Sequence, residues 1–572
     1  MLSPVAVGLS VYVLYSVFRP QPALQYRMTF LAVVLPLTFL ARRREEGGPG
    51  AADWALAVAS LVVTVYPLIV FDDFIRRTVT PTTADVVMGL ATVALVLEAT
   101  RRTVGPVLPV VCLGFLGYAY YGGYLPDWAV AHRGYGPERL VAQLYMGSEG
   151  IYGVPLDVAA TYIVLFAIYG AVLEHSGASR FFMDLSFAAF RRSATAPGRT
   201  VTVAGFLLGS VSGSGVATTV SLGSAAWPIL RRAGYPAEEA GGVLAAAGIG
   251  AILSPPTLGA AAFIIAELLE VSYLEVLVYA LVPTLLYYLG ILLAIEIDAR
   301  RFGTRPVEVA VASPWRLLAR FGYHFSSLLL IVVLMALGQS PFKAVVYATL
   351  LAFALSFLDP GRRLGPRRAA RALADGALSV LPVAATTAAA GIIVGVVTLT
   401  GLGLNASSLI VDVAAGNLAV TAVLSAVAVM VLGLAVPVTA SFIIAAAIVG
   451  PALIDLLGSR GGAEGLSQAR AYMFIFYYAV LSEVSPPTAL SAVAAAAITG
   501  GRPFRTMLMT WKYTLPAFLV PFGFVLAPGG AALLGQAPAG EIVIATVVSA
   551  LVVAVLAVVT GGGLRAGRRS RR

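Results

Sequence analysis

The chain has 572 residues, of which 59% are hydrophobic and only 12% charged, about half the charged share of a soluble domain. A soluble globular fold is excluded, and lipid is the solvent for most of the chain. The net charge of +10 does not indicate a nucleic-acid partner, because the arginines cluster between apolar runs at Arg42–Arg44, Arg101–Arg102, Arg362–Arg371 and in the tail Arg565–Arg572. There they read as cytoplasmic loop anchors, which puts the C-terminus inside the cell.

Apolar runs of roughly 17–25 residues recur along the chain, each long enough to cross about 30 Å of hydrocarbon as a helix. Val154–Glu174, Val271–Ile297 and Ile542–Thr560 are clear cases. The runs are continuously apolar, without the two-residue alternation of a barrel strand. The predicted fold is therefore an all-α polytopic membrane protein with about fifteen to eighteen hydrophobic segments, some too short or broken to span alone. Met1 to Pro20 lacks a basic start and a small-residue cleavage site, and it reads as the first membrane helix. About five short segments follow one another up to residue 150 and end in the polar, aromatic stretch Tyr120–Tyr152, which is too long for a tight turn and reads as a boundary. Cys112, the single cysteine, lies in an apolar run, where neither a disulfide nor a cysteine-based metal site can be built. It reads as a small buried hydrophobe.

From Val154 onward the chain is predicted to consist of two related halves. Ser254-Pro255-Pro256-Thr257 recurs 231 residues later as Ser485-Pro486-Pro487-Thr488. Ser176-Gly177 matches Thr400-Gly401 at 224, and Pro228-Ile229-Leu230 matches Pro451-Ala452-Leu453 at 223; a polar insert at Gly458–Gly465 accounts for the difference. Such a register points to inverted repeats. The expected division is a scaffold of leader helices (1–150), a first repeat with one hairpin (151–310), linking helices (311–375), a second repeat with a second hairpin (376–535), and a last membrane helix with a basic cytoplasmic tail (536–572).

Gly209 to Thr219 holds three glycines and five hydroxyl residues inside an apolar stretch. Interior glycine costs a helix about 1 kcal/mol relative to alanine, and in lipid a carbonyl freed by a break needs a new partner. A re-entrant hairpin facing a hydrated cavity satisfies both conditions and offers hard oxygen ligands to an alkali cation; close packing through small residues is the alternative. The second-half counterpart is Leu434–Ser441, where Pro437 removes a donor and Thr439 and Ser441 supply hydroxyls. A proline-kinked spanning helix is compatible with the same residues.

Each Ser-Pro-Pro-Thr removes two successive amide donors and pushes the preceding residue out of the helical region. Two half-helices result, with carbonyls free for a cation on one side and N–H groups free for an anion on the other; a mechanical kink is the plainer reading. Glu483, two residues before Ser485, can neutralise a cation, take up a proton, cap a half-helix or pair with an arginine. Glu174, Glu267, Glu270 and Glu275 sit near run ends and read as interfacial. His132, His175 and His324 show no ligand spacing for a transition metal. No Gly-x-x-x-x-Gly-Lys-Ser/Thr loop is present, and Lys343 and Lys512 are the only lysines, so direct ATP drive by a P-loop is excluded. An intramembrane enzyme would need a nucleophile with a base or a metal cluster, and no such pairing is visible. An ion channel would need a continuous filter sequence, which the chain lacks.

The stretches Gly209–Gly223, Arg232–Pro236, Ser254–Glu267, Gly391–Gly403 and Phe474–Ala497, together with Leu97–Arg102 in the leader, resemble the fused permeases of the tripartite ATP-independent periplasmic (TRAP) transporters paired with TAXI-type binding proteins. The resemblance covers nearly the whole chain. It implies a multi-pass inner-membrane permease with an elevator fold and no cofactor, taking up a small organic acid by sodium symport from an extracytoplasmic TAXI-type solute-binding protein. It further implies that Ser212, Gly213, Ser214 and Thr218 lie in the first hairpin, and Gly250, Ser254, Pro255, Pro256 and Thr257 at the first broken helix. Pro437, Thr439 and Ser441 would lie in the second hairpin, and Ser485, Pro486, Pro487 and Thr488 at the second break. The family usually has Asn at Thr218, a Ser-Thr-Gly-Gly-Gln-like run at Gly248–Ile252 and often Asp at Glu483. Backbone carbonyls are then left as ligands in the first half, and a proton-coupled or binding-protein-independent organic-anion carrier stands as the alternative.

Overall fold

The computed structural model describes residues 2–41, 48–126, 131–190, 196–307, 312–434, 436–459 and 464–563. The arginine clusters at 42–44 and 565–572 and part of the 458–465 insert lie outside the described residues. Among the described residues the chain is helical, and nine helices are long and apolar enough to cross a membrane. The number rises to eleven if two bent pairs each count as one span: Pro314–Phe321 with His324–Ala336, at 64°, and Val438–Ile448 with Gly450–Gly458, at 51°. The three runs singled out above are the spans Val154–Ser176, Tyr273–Phe302 and Ala539–Thr560. The first helix differs from expectation. Leu2–Ser16 has only 15 residues, short of the about 20 that a crossing needs; Arg19, Pro20 and Pro22 follow it.

Contacts divide the chain into two compact units, each made of three stretches: Met1–His175, Gly338–Asn417 and Ala435–Ala452 in one, Ser176–Leu337, Leu418–Leu434 and Leu453–Arg572 in the other. The first unit is organised around the 35-residue helix Pro366–Thr400, against which Leu2–Ser16, Ala23–Ala41, Thr83–Val104, Val107–Tyr121 and Val438–Ile448 all pack. Its alanine- and glycine-rich face permits this crowding, since small side chains let backbones approach closely. A Cβ at Gly376 would stand 2.7 Å from Ile168 Cα. Cys112 is fully buried against the same helix, its Sγ 3.4 Å from Ala389 O. The aromatic stretch before Val154 belongs to this packing: Tyr145 and Tyr152 are buried, and Tyr145 donates to Val63 O at 2.7 Å. Ion pairs tie the leader helices. Arg27 meets Asp157 at 2.6 Å, and Arg102 bridges Glu98 of its own helix and Asp53 of Ala51–Ile69, both at 2.6 Å.

The second unit is built around Ala237–Leu253, a helix of mainly Ala, Gly and Ile that is buried from Ala240 to Leu253. Ala196–Ser212, Gly215–Arg232, Leu490–Thr499 and Pro503–Leu526 surround it. Gly205 and Gly209, four residues apart, face Ala247 and Ala251: a Cβ at either glycine would stand 2.8 or 2.7 Å from the facing alanine Cβ. Arg470 caps the far end of Pro503–Leu526, donating to the carbonyls of Phe524, Val525 and Ala527; a guanidinium suits the negative end of a helix.

Gly205→Val is expected to overpack the contact with Ala247 and to destabilise the detergent-solubilised protein by about 1–3 kcal/mol. Gly8→Val, where nothing lies within 4 Å, should leave the thermal midpoint unchanged.

Candidate functional site

The predicted interruptions occur where the local chemistry places them. Ala196–Ser212 ends, Gly213 takes a positive φ of 59°, and Ser214 caps Gly215–Arg232 by accepting from Ala217 N at 3.4 Å. The two helices pack on each other as a hairpin. Ser212 closes the first of them, and its side chain lies outside the described residues.

At the first break, Ala237–Leu253 stops before Ser254, which is extended, and Ala260–Leu268 begins beyond the prolines. At the second, Glu464–Leu481 and a short 3₁₀ turn, Ser482–Val484, stop before Ser485, also extended, and Leu490–Thr499 follows. The two breaks repeat each other residue by residue. The Pro255-Pro256 and Pro486-Pro487 bonds are both cis, and Leu258 and Ala489 both take positive φ. Ser254 O and Ser485 O each accept from the amide four residues on, at 3.2 Å. Ser254 Oγ donates to Gly250 O and Ser485 Oγ to Leu481 O, at 2.5 and 2.8 Å. A hydroxyl has one proton, so each serine then accepts: Ser254 from Tyr288 OH at 2.9 Å, Ser485 from Trp511 Nε1 at 3.0 Å. Further hydroxyls from Tyr273–Phe302 reach the first break, Thr284 donating to Leu253 O at 2.5 Å and Tyr273 to Pro256 O at 3.0 Å. The carbonyls of Gly250, Leu253, Pro256 and Leu481 beside the breaks thus have hydroxyl partners, Ile252 O takes the amide of Gly259 at 2.7 Å, and a carbonyl with one partner keeps a second lone pair.

Within this unit the hairpin turn and both breaks converge. Thr257 Oγ1 donates to Gly209 O at 3.0 Å, joining the first break to the last turn of Ala196–Ser212. A Cβ on Gly213 would stand 3.3 Å from Leu258 O, and one on Gly215 only 2.5 Å from Glu483 Oε2. Glycine at 215 therefore admits the carboxylate to the first turn of Gly215–Arg232, where N–H groups lack helical partners and favour negative charge. Glu483 Oε2 also accepts from Ser491 at 3.1 Å. Thr218, one turn further in, is buried, and its Oγ1 has no hydrogen-bond partner among the described residues. Gly250 packs against Tyr288, whose hydroxyl would stand 2.5 Å from a Cβ there.

Pro437, Thr439 and Ser441 belong to the other unit. The chain is interrupted between the helices Leu418–Leu432 and Val438–Ile448, Pro437 standing at the N-cap, so this is a break and not a kinked continuous helix. Thr439 and Ser441 lie in the first turn of Val438–Ile448, and Ser441 Oγ, fully buried, has no hydrogen-bond partner among the described residues. Thr218 and Ser441 are two of several such buried atoms among the described residues, and the two that fall at predicted site positions. Among the described residues no group of three or more His, Cys, Asp or Glu side chains could hold a metal ion. Tyr288, Trp511, Thr284, Tyr273 and Ser491 were not among the predicted site residues. Each lies in or beside an apolar run with no local mark.

Residues 91–529 match the family model described as the DctM component of the tripartite ATP-independent periplasmic transporter. A curated relative, the 2,3-diketo-L-gulonate TRAP transporter large permease protein YiaN of Escherichia coli (strain K12), is 30% identical over 112 residues, which is 20% of this chain and 26% of that protein. The aligned part thus spans about a quarter of the relative's length.

Ser485→Ala strands the indole N–H of Trp511 and is expected to cost about 1–3 kcal/mol in thermal unfolding; Thr257→Val removes one of the two donors to Gly209 O, which keeps the Gly213 amide at 3.2 Å, and is expected to cost about 0.5–1.5 kcal/mol. Ser224→Ala, at an exposed position, should stay within about 0.5 kcal/mol.

Proposed function

We infer, since this chain belongs to the DctM component family of the tripartite ATP-independent periplasmic transporters, that it is the permease of a binding-protein-dependent secondary transporter, a multi-pass protein of the cytoplasmic membrane. The cargo is a small organic acid, delivered by an extracytoplasmic solute-binding protein of the TAXI type and taken up with sodium. Residues 151–310 and 376–535 act as inverted repeats, and residues 1–150 as the scaffold against which a transport domain moves as an elevator.

The observation that carries this reading is the meeting of the first hairpin turn with two like-built breaks beside one carboxylate. A helix N-terminus, hydroxyls and carbonyls with spare lone pairs there supply ligands for both an organic anion and a small hard cation. The buried hydroxyls of Thr218, in the second unit, and Ser441, in the first, have no hydrogen-bond partner among the described residues and are assigned to separate sodium positions, one in each unit. Glu483 balances the cation's charge, or accepts a proton in its place if the coupling ion is H⁺.

A ligand bound only by the folded state raises the unfolding midpoint, by about 2.7 kcal/mol at 100 times its dissociation constant. The purified protein should unfold at higher temperature in NaCl than in KCl or choline chloride of equal ionic strength. Thr218→Val and Ser441→Ala should each reduce that rise. Absence of a sodium effect, with a pH-dependent midpoint that Glu483→Gln abolishes, would replace sodium by proton coupling; absence of both would overturn ion coupling at these positions.

A further inference from the structure

The second unit holds a buried ion pair that the proposed site does not use. Lys512 Nζ, on Pro503–Leu526, meets Asp298 Oδ1, on Tyr273–Phe302, and Tyr513 OH donates to Asp298 Oδ2. Asp298 is fully buried, and Lys512 is 7% exposed. Taking two charges out of water costs several kcal/mol per ion, and well-packed apolar residues would often be as stabilising. A role beyond stability is therefore worth seeking, and position suggests one.

Each partner helix holds one of the two breaks. Tyr273–Phe302 reaches the first through Tyr273, Thr284 and Tyr288. Pro503–Leu526 reaches the second through Trp511, the residue next to Lys512, and it also receives Tyr478, from the helix leading into that break, on Phe518 O at 2.7 Å. The two helices also meet through apolar surface, with Gly290 against Pro516. Apolar contact is non-directional and tolerates a small slide or rotation, whereas an ammonium and a phenol on one carboxylate do not.

We propose that Lys512 and Asp298 are positioning residues: their pair fixes the register of Pro503–Leu526 on Tyr273–Phe302 and so holds the two broken helices in one mutual geometry. This rests on the reading that the breaks form the ion and substrate site, but the geometric part is measurable without it.

The test uses the full chain with Cys112→Ala and spin labels at Leu268→Cys and Leu490→Cys, exposed positions beyond the first and second breaks. Lys512→Met alone leaves the buried Asp298 charge without its counter-charge, so the deciding variant is the uncharged pair Asp298→Asn with Lys512→Met, in which Tyr513 keeps an acceptor. The expected result is a near-parental thermal midpoint, a broadened label–label distance distribution, and an ion concentration for half-maximal uptake raised about tenfold, equivalent to about 1.4 kcal/mol. A parental, narrow distribution in the folded uncharged pair overturns the proposal. If that pair does not fold, the exchanged pair Asp298→Lys with Lys512→Asp decides: a narrow distribution supports a register role, and a broadened one overturns it. A parental protein whose midpoint and uptake ignore both sodium and pH would sink the ion-coupling reading while leaving the distance measurement to judge the positioning role.

Discussion

A backbone carbonyl or amide freed inside the hydrocarbon region has no water to turn to, and the second unit is arranged around that constraint. Two diprolines remove the helical hydrogen bonds at residues 254–257 and 485–488, and each resulting gap is closed by the same device. A serine hydroxyl donates back to the carbonyl four residues earlier and accepts a hydrogen bond from an aromatic side chain on the next long helix. The breaks are thus interruptions cross-linked by directional hydrogen bonds. Among the several buried side-chain atoms without a hydrogen-bond partner among the described residues, two fall at predicted site positions: the Thr218 hydroxyl one turn into the hairpin's second helix and, in the other unit, that of Ser441.

Small residues make this possible. Ten of the seventeen residues of the central helix Ala237–Leu253 are alanine or glycine, so four helices gather around it at close range, and glycine at 215 lets a carboxylate reach a helix N-terminus. Lipid offers no hydrophobic driving force between helices, and packing of this kind replaces it. Apolar packing sets distance and leaves register loose. The hydrogen bonds from Tyr288 and Trp511 and the buried pair of Asp298 with Lys512 supply directional contacts.

The amino-acid sequence by itself determined the environment, the helical class and the positions of the interruptions. Hydrophobic length, proline without a donor and glycine without a Cβ act within a few residues of where they stand. The helix ends at Ser212, Leu253 and Leu432 and the extended Ser254 and Ser485 follow from such local chemistry. Local length was less telling at the N-terminus, where the apolar stretch forms a 15-residue helix packed on Pro366–Thr400 and not a full crossing. Only the tertiary structure decided which distant residues complete the breaks, how Glu483 comes to lie beside Gly215, and that the units are each assembled from three separated stretches. These depend on contacts between residues tens to hundreds of positions apart. In a chain whose helices are uniformly apolar, a tyrosine or lysine that will bond across helices carries no periodic mark to distinguish it from one that faces lipid.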